Sequence, residues 1–341
     1  MQAATESIAG AAARLAAQAG RAAPSGEIEL AGGKNNRVWR LDMPDGRPLV
    51  FKSYFSDPRD PRDRLAAEWA FVSYARSRNI SNIPEPLARD VALHCGLYSF
   101  IDGRKLRADE LQDRHIEAAI DFILALNAPP ADRAAFSPGS EACFSLAQHV
   151  ATVDRRVARL AQLDPEAPHR ENAEQIVARE LVPAWGAIKE RIGVGARAAK
   201  ISLESELPHD ELIISPSDFG FHNALVDEAG RVFFLDFEYS GLDDPAKFAC
   251  DFFCQPEVPV PFSHFEPFVD RVISGLKLPE TARARCRLLI NAYRIKWACI
   301  ILNDFLPVGA SRRAFAKADA RERRCAEQIV KAQQKIAEVA L

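Results

Sequence analysis

Hydrophobic and polar positions alternate with a period of two between residues 26 and 55. EIELAGG, NRVWRLDMP and PLVFKSYF each read as a strand, with Asp45-Gly46 as the turn between the second and third. The period changes over residues 64–78, RLAAEWAFVSYARSR, to that of a helix. Pro84 and Pro86 interrupt the chain, LHCGLYSFI (93–101) reads as another strand, and Asp102-Gly103 turns it. From residue 108 the periodicity is helical to about residue 192, is broken by a strand pair around 222–238, and resumes as helices over 262–276, 280–305 and 311–340. The Ala-rich start reads as an amphipathic helix using Ile8, Ala12, Leu15 and Ala16. The expected architecture is α+β: a helical extension over 1–25, a small β-rich lobe over 26–103, and a larger, mostly helical lobe over 104–341. A strand or linker near 98–104 joins the lobes.

Composition narrows the class. At 48% hydrophobic, 341 residues hold ample core material. A formal charge of −3 argues against a nucleic-acid partner, whose footprint is basic. No apolar run reaches the ~18 residues of a membrane span. The N-terminus carries Glu6 before any basic residue, unlike a secretory signal. Seven cysteines without a C-x-x-C pair suggest buried free thiols, a reducing compartment and a cytoplasmic protein.

Two charges break the apolar pattern. Lys52 lies on a strand whose alternation puts Val50, Lys52 and Tyr54 on one face, and a lysine on an apolar face is costly unless paired. Glu68 lies between Leu65 and Val72 on the apolar stripe of the 64–78 helix. A Lys52–Glu68 pair between strand and helix would account for both and leave Lys52 to hold phosphates; two unrelated snorkelling surface charges are the other reading. Gly32-Gly33-Lys34-Asn35-Asn36 joins two strands; paired glycines admit a phosphate close to the backbone, although an ordinary hairpin turn reads the same way.

Ser217–Glu238, SDFGFHNALVDEAGRVFFLDFE, carries the densest chemistry. Asp218 precedes Asn223 by five residues on a loop marked by Pro216 and Gly220, and Asp236 ends the apolar run RVFFLD. Magnesium takes hard oxygen ligands and usually only one or two protein carboxylates. Asn223 and Asp236 on a metal would leave Asp218 to orient a hydroxyl, the division of labour used in phosphoryl transfer. Asp244 reads as the cap of a helix opening at Pro245. His222 either touches substrate or makes a structural hydrogen bond. Arg294, Lys296, Trp297 and Asn303 either line an acceptor pocket or face solvent. The run from Ser311, with eight Lys/Arg against four Asp/Glu, reads as a solvated helix.

Together these residues resemble the aminoglycoside phosphotransferase and choline/ethanolamine kinase family, over about residues 28–305. The resemblance implies a two-lobed protein-kinase-like fold and an ATP- and Mg²⁺-dependent phosphotransferase acting on a small-molecule hydroxyl. It implies a phosphate loop at Gly32, Gly33, Asn35 and Asn36, the phosphate lysine at Lys52 and its partner at Glu68. A hinge against adenine falls at Ser99, Phe100 and Ile101, before Asp102 and Gly103. Asp218 matches the catalytic aspartate, and Asn223 and Asp236 match the Mg²⁺ ligands. LDFEYSGLDDP is closest to choline-kinase-like members, with Glu238 where protein kinases carry Gly. Pro216 departs from the pattern, since the family usually has His two residues before the catalytic Asp. Glu238, Asp243, Asp244 and Asp251 suggest a cationic acceptor such as an aminoglycoside or choline; a sugar or nucleoside hydroxyl is the other reading. The rival class is a nucleotide-binding pseudokinase serving as an interaction module.

Overall fold

The computed structural model describes residues 7–30, 36–57, 60, 62–307 and 318–339. Gly32, Gly33 and Asn35 lie outside the described residues, as do residues 311–317 at the start of the C-terminal basic run. The chain divides into two compact units, one of the residues up to Ser140 with Ile214–Leu242, the other of Glu141–Ile213 with the residues from Asp243 onward.

The first unit holds an antiparallel sheet of β1 (Gly26–Leu30), β2 (Asn36–Asp42), β3 (Leu49–Tyr54), β4 (Pro86–Asp90) and β5 (Cys95–Ser99), in the order β1-β2-β3-β5-β4. Opposed residues of an antiparallel pair share a face. One face therefore carries Leu30, Val38, Lys52 and Gly96 in one row and Ile28, Arg40, Val50 and Tyr98 in the next. The other carries Trp39, Leu41, Leu49, Phe51 and Leu97, all buried. Helix α1 (Ile8–Gln18) closes that second face with Ala11, Ala12, Leu15 and Ala16, and its Arg14 is bonded to Asp90 at 2.6 Å. Ser7 caps α1 by accepting from the Gly10 amide.

Helix α2 (Arg64–Ser77), capped by Asp63, buries Leu65, Glu68, Phe71, Val72 and Ala75. After β6 (Arg104–Lys105) comes helix α3 (Asp113–Asn127), whose terminal Asn127 bonds the Ile214 backbone through both amide atoms. This fastens β7 (Ile213–Ser215), the approach to Asp218. β8 (Ala224–Val226) pairs with β6 on one side and with β9 (Val232–Phe234) on the other.

The second unit is helical: α4 (Leu146–Arg159), α5 (Arg170–Ile176), α6 (Val182–Ala198), α7 (Pro245–Cys254), α8 (Phe265–Gly275), α9 (Glu280–Ile301) and α10 (Ala318–Ala337). α9 is the central element, packed by α4, α6, α7, α8 and α10. Of the stripe that the helical period sets, Leu288, Ala292, Ile295, Cys299 and Leu302, all but the half-buried Leu288 are buried, and so are Arg285, Arg294 and Lys296. All seven cysteines are buried. No helix among the described residues is long and apolar enough to cross a membrane.

Candidate active site

Lys52 leaves the middle of β3 and is 8% exposed. Its Nζ donates to Glu68 Oε2 at 2.7 Å and to Asp236 Oδ1 at 3.0 Å. Burial alone would disfavour the ammonium; the Asp236 and Glu68 carboxylates outweigh it and hold the lysine pKa above its ordinary value. The strand lysine and the helix glutamate that broke the apolar pattern are thus one buried ion pair with a third, half-exposed member.

Tyrosines back this pair. The Tyr54 hydroxyl donates to Glu68 Oε2 at 2.8 Å and lies 2.7 Å from the Tyr98 hydroxyl. With its single proton given to Glu68, Tyr54 accepts from Tyr98. Gly96 leaves room for this: a Cβ there would meet the Tyr98 ring at 2.8 Å. Alternation along β3 placed Tyr54 beside Lys52, but nothing local pointed to Tyr98.

Glu238 forms a second buried cluster. Its Oε2 accepts from Asn36 Nδ2 at 2.7 Å and stands 3.6 Å from Arg64 Nε. Arg64, at the start of α2, also donates to the Phe55 carbonyl and to Asp60. Burial, then the nearby Asp236 charge, pushes the Glu238 pKa up against the pull of Asn36. Asn36 opens β2, so this cluster ties the start of that strand to the segment following Asp236. The partnership spans 202 residues and had no sequence signal.

Asp218 sits on a loop braced at several points. Ser217, at φ +67°, is in the left-handed region and donates its amide to Ser215 Oγ at 3.1 Å. Such conformations in non-glycine residues cluster at functional sites. Phe221 is fully buried and opens a 3₁₀ turn, Phe221–Asn223. Asn223 Nδ2 donates to the Asp218 carbonyl at 3.0 Å, which commits its amide nitrogen to the loop and leaves Oδ1 as the atom a cation would have to use. The Leu235 amide donates to the Asn223 carbonyl at 2.8 Å, so the antiparallel β8–β9 pair brings Asn223 next to the residue before Asp236. Asp236 itself has φ +65°. Phe219 packs on Phe234 at 4.7 Å and Phe237 on Phe71 at 4.4 Å, with Phe122 against all of Phe71, Phe219, Phe234 and Phe237. One aromatic cluster therefore seats the neighbours of both carboxylates. Asp218 and Asp236 are each 39% exposed, accessible in an otherwise buried setting.

At the proposed hinge, Ser99 exchanges two hydrogen bonds with Glu85, through its amide at 2.9 Å and its Oγ at 2.8 Å. Phe100 lies beneath the Arg40 guanidinium at 5.3 Å, and Ile101 is half-buried.

Other expectations change. Asp244 does cap α7, accepting from the Ala246 amide at 2.7 Å, but it also accepts from His149 Nε2 at 3.0 Å and from Arg285. Asp243 is bonded to Lys247 at 2.6 Å, and Asp251 accepts from Lys296 at 2.9 Å and Trp297 at 2.8 Å. Each of the three acids is therefore matched by a buried cation. This takes Asp243, Asp244 and Asp251 out of the charge argument for a cationic acceptor and leaves Glu238, itself 3.6 Å from Arg64 Nε, because isolated spacing showed the acids and not their partners. Lys296 and Arg294 do not face solvent: they are buried, Lys296 by its pairing with Asp251 and Arg294 by stacking on Phe262 at 4.3 Å.

Among the described residues no three His, Cys, Asp or Glu side chains converge to hold a metal. A cation on Asn223 and Asp236 would draw the rest of its shell from phosphate and water, the usual habit of Mg²⁺.

The model of the phosphotransferase enzyme family matches residues 27–253. Solved structures share the fold. A choline/ethanolamine kinase family protein from Mesorhizobium loti is 20% identical, covers 96% of this chain and 97% of its own, and superposes with TM-score 0.56. A macrolide 2′-phosphotransferase from Brachybacterium faecium is 18% identical over 93% of this chain and 97% of its own, at TM-score 0.54. A spectinomycin phosphotransferase whose structure holds ADP and spectinomycin is 10% identical over 95% and 97%, at TM-score 0.59. A comparison with curated protein sequences finds no match.

Proposed function

Because the chain belongs to the phosphotransferase enzyme family, we propose that this small-molecule phosphotransferase moves the γ-phosphoryl group of ATP, presented with Mg²⁺, to a hydroxyl of its acceptor. The observation that carries the reading is Lys52 held between Glu68 and Asp236 at 2.7 and 3.0 Å. An ammonium kept charged and aimed by a buried glutamate is a fixed positive site for phosphate oxygens.

Ile28 and Leu30, 52% and 37% exposed, share the Lys52 face of the sheet with Val38 and Val50. They offer an apolar surface for a purine, with Ser99, Phe100 and Ile101 at its edge to bond it through backbone groups. Gly32, Gly33, Asn35 and Asn36 are assigned to the phosphates, and Glu238 steadies the last of them. Asn223 and Asp236 fit a hard cation by their oxygen donors and exposure. When bound, Mg²⁺ would neutralise charge on the phosphate chain. Asp218 accepts a hydrogen bond from the acceptor hydroxyl, aligns it with the phosphorus and takes its proton as the new O–P bond forms and ADP leaves. Catalysis then rests on positioning and charge.

The acceptor class is a small alcohol. Aminoglycosides, amino alcohols and sugars form the first panel, with ADP release as readout. Asp218→Asn should keep its affinity for Mg–ATP and lose about 10²–10⁴-fold in turnover, the usual worth of a general base. Wild-type turnover in that variant would refute the role. Mg–ATP binding with no turnover on any acceptor would favour the interaction-module reading instead.

A further inference from the structure

Pro216 has no N–H and no side-chain donor, so the residue two before Asp218 cannot orient the carboxylate. The donor comes from the other side of the loop. The 3₁₀ turn over Phe221–Asn223 folds His222 back, and its Nε2 lies 3.3 Å from Asp218 Oδ1. The ring is held in place. Phe221, before it, is fully buried, and Asn223, after it, is bonded to the Asp218 carbonyl. Lys105 Nζ donates to the His222 carbonyl at 2.6 Å. The imidazole is 13% exposed, and its Nδ1 is buried with no hydrogen-bond partner among the described residues.

We propose that His222 is a positioning residue that orients the Asp218 carboxylate through an Nε2–H···Oδ1 hydrogen bond, a task Pro216 cannot perform. An ionised carboxylate only accepts, so the proton must sit on Nε2. The bond engages one carboxylate oxygen and sets the plane of the group, which decides where a hydroxyl can be aligned for in-line transfer. The i to i+4 spacing within a single tight turn keeps the device local. It rests on the reading of Asp218 given above.

Two measurements test it. Nitrogen-15 NMR of the imidazoles at pH 8.5, with His222 assigned by its absence in His222→Gln, should show the Nε2–H tautomer; Asp218→Ala should relax it toward a mixture. A His222 ring in the Nδ1–H tautomer would overturn the proposal. Hydrolysis of Mg–ATP, with water in the acceptor's place, gives the kinetic arm. His222→Leu should slow it about 10- to 100-fold, the effect of losing one hydrogen bond to a charged group, with KM for Mg–ATP within about twofold. His222→Gln, which keeps a donor at similar reach, should recover most of the rate. A His222→Leu enzyme as fast as wild type, beside an inactive Asp218→Asn, would sink this proposal alone. Full activity in Asp218→Asn as well would sink the reading of Asp218 on which it rests.

Discussion

Replacing Lys52 by Met separates electrostatic pairing from simple packing at the centre of the site. Glu68 is 2% exposed and Lys52 8%, so the lysine cannot be exchanged for water around the glutamate. Removing one partner of a buried ion pair costs about 3–5 kcal/mol, because the other charge is left unmatched. The cost should depend on pH. Burial, and then the Asp236 charge, already push the Glu68 pKa up with Lys52 in place; removing Lys52 takes away the strongest opposing pull, leaving the weaker Tyr54 hydrogen bond against them. Between the ordinary carboxylate pKa of about 4.3 and the raised value, the folded variant binds a proton that the unfolded chain has released. Its stability therefore falls as pH rises through that window, by up to about 1.4 kcal/mol per pH unit. Urea unfolding of wild type, Lys52→Met and Lys52→Met/Glu68→Leu at pH 5 and pH 8 measures this. The single variant should approach wild type at pH 5 and fall furthest below it at pH 8. The double variant should regain most of the loss at pH 8 while remaining inactive. A pH-independent deficit in the single variant, with no recovery in the double, would refute the argument that Lys52 neutralises Glu68.

Two further outcomes follow from the geometry. Gly96→Ala puts a methyl 2.8 Å from the Tyr98 ring and should cost about 1–3 kcal/mol by overpacking; Tyr98→Leu added to it should return part of that in thermal unfolding. In the second unit, burial opposes a charge on His149, but the hydrogen bond to Asp244 and contact with Cys143 raise its pKa from 6.5 to about 9. That stabilisation is complete below pH 6.5 and is lost as pH rises through about 9; it amounts to about 3 kcal/mol, so urea midpoints should decline over this interval in wild type and stay flat in His149→Gln.

Local pattern carried much of the site. Period two along PLVFKSYF put Lys52 and Tyr54 on one side of a strand, and the helical period put Glu68 on a buried stripe; both placements depend on a residue's own neighbours and hold in the structure. The Asp218–Asn223 spacing is likewise local, since one tight turn closes it. What the chain alone could not give was the identity of each charge's partner. Asp251 and Lys296 are 45 residues apart, Asp244 and His149 95, and Asn36 and Glu238 202, and each pairing changes what the acid can do. Periodicity reports which face a side chain takes. Whether that face meets a cation, a tyrosine or open water is decided by packing between distant segments, and in a low-dielectric interior that choice sets the charge state. The sequence by itself thus determined the chemistry on offer along strand, helix and loop. The tertiary structure decided that Lys52 serves two carboxylates and that Asp243, Asp244 and Asp251 are matched by buried cations.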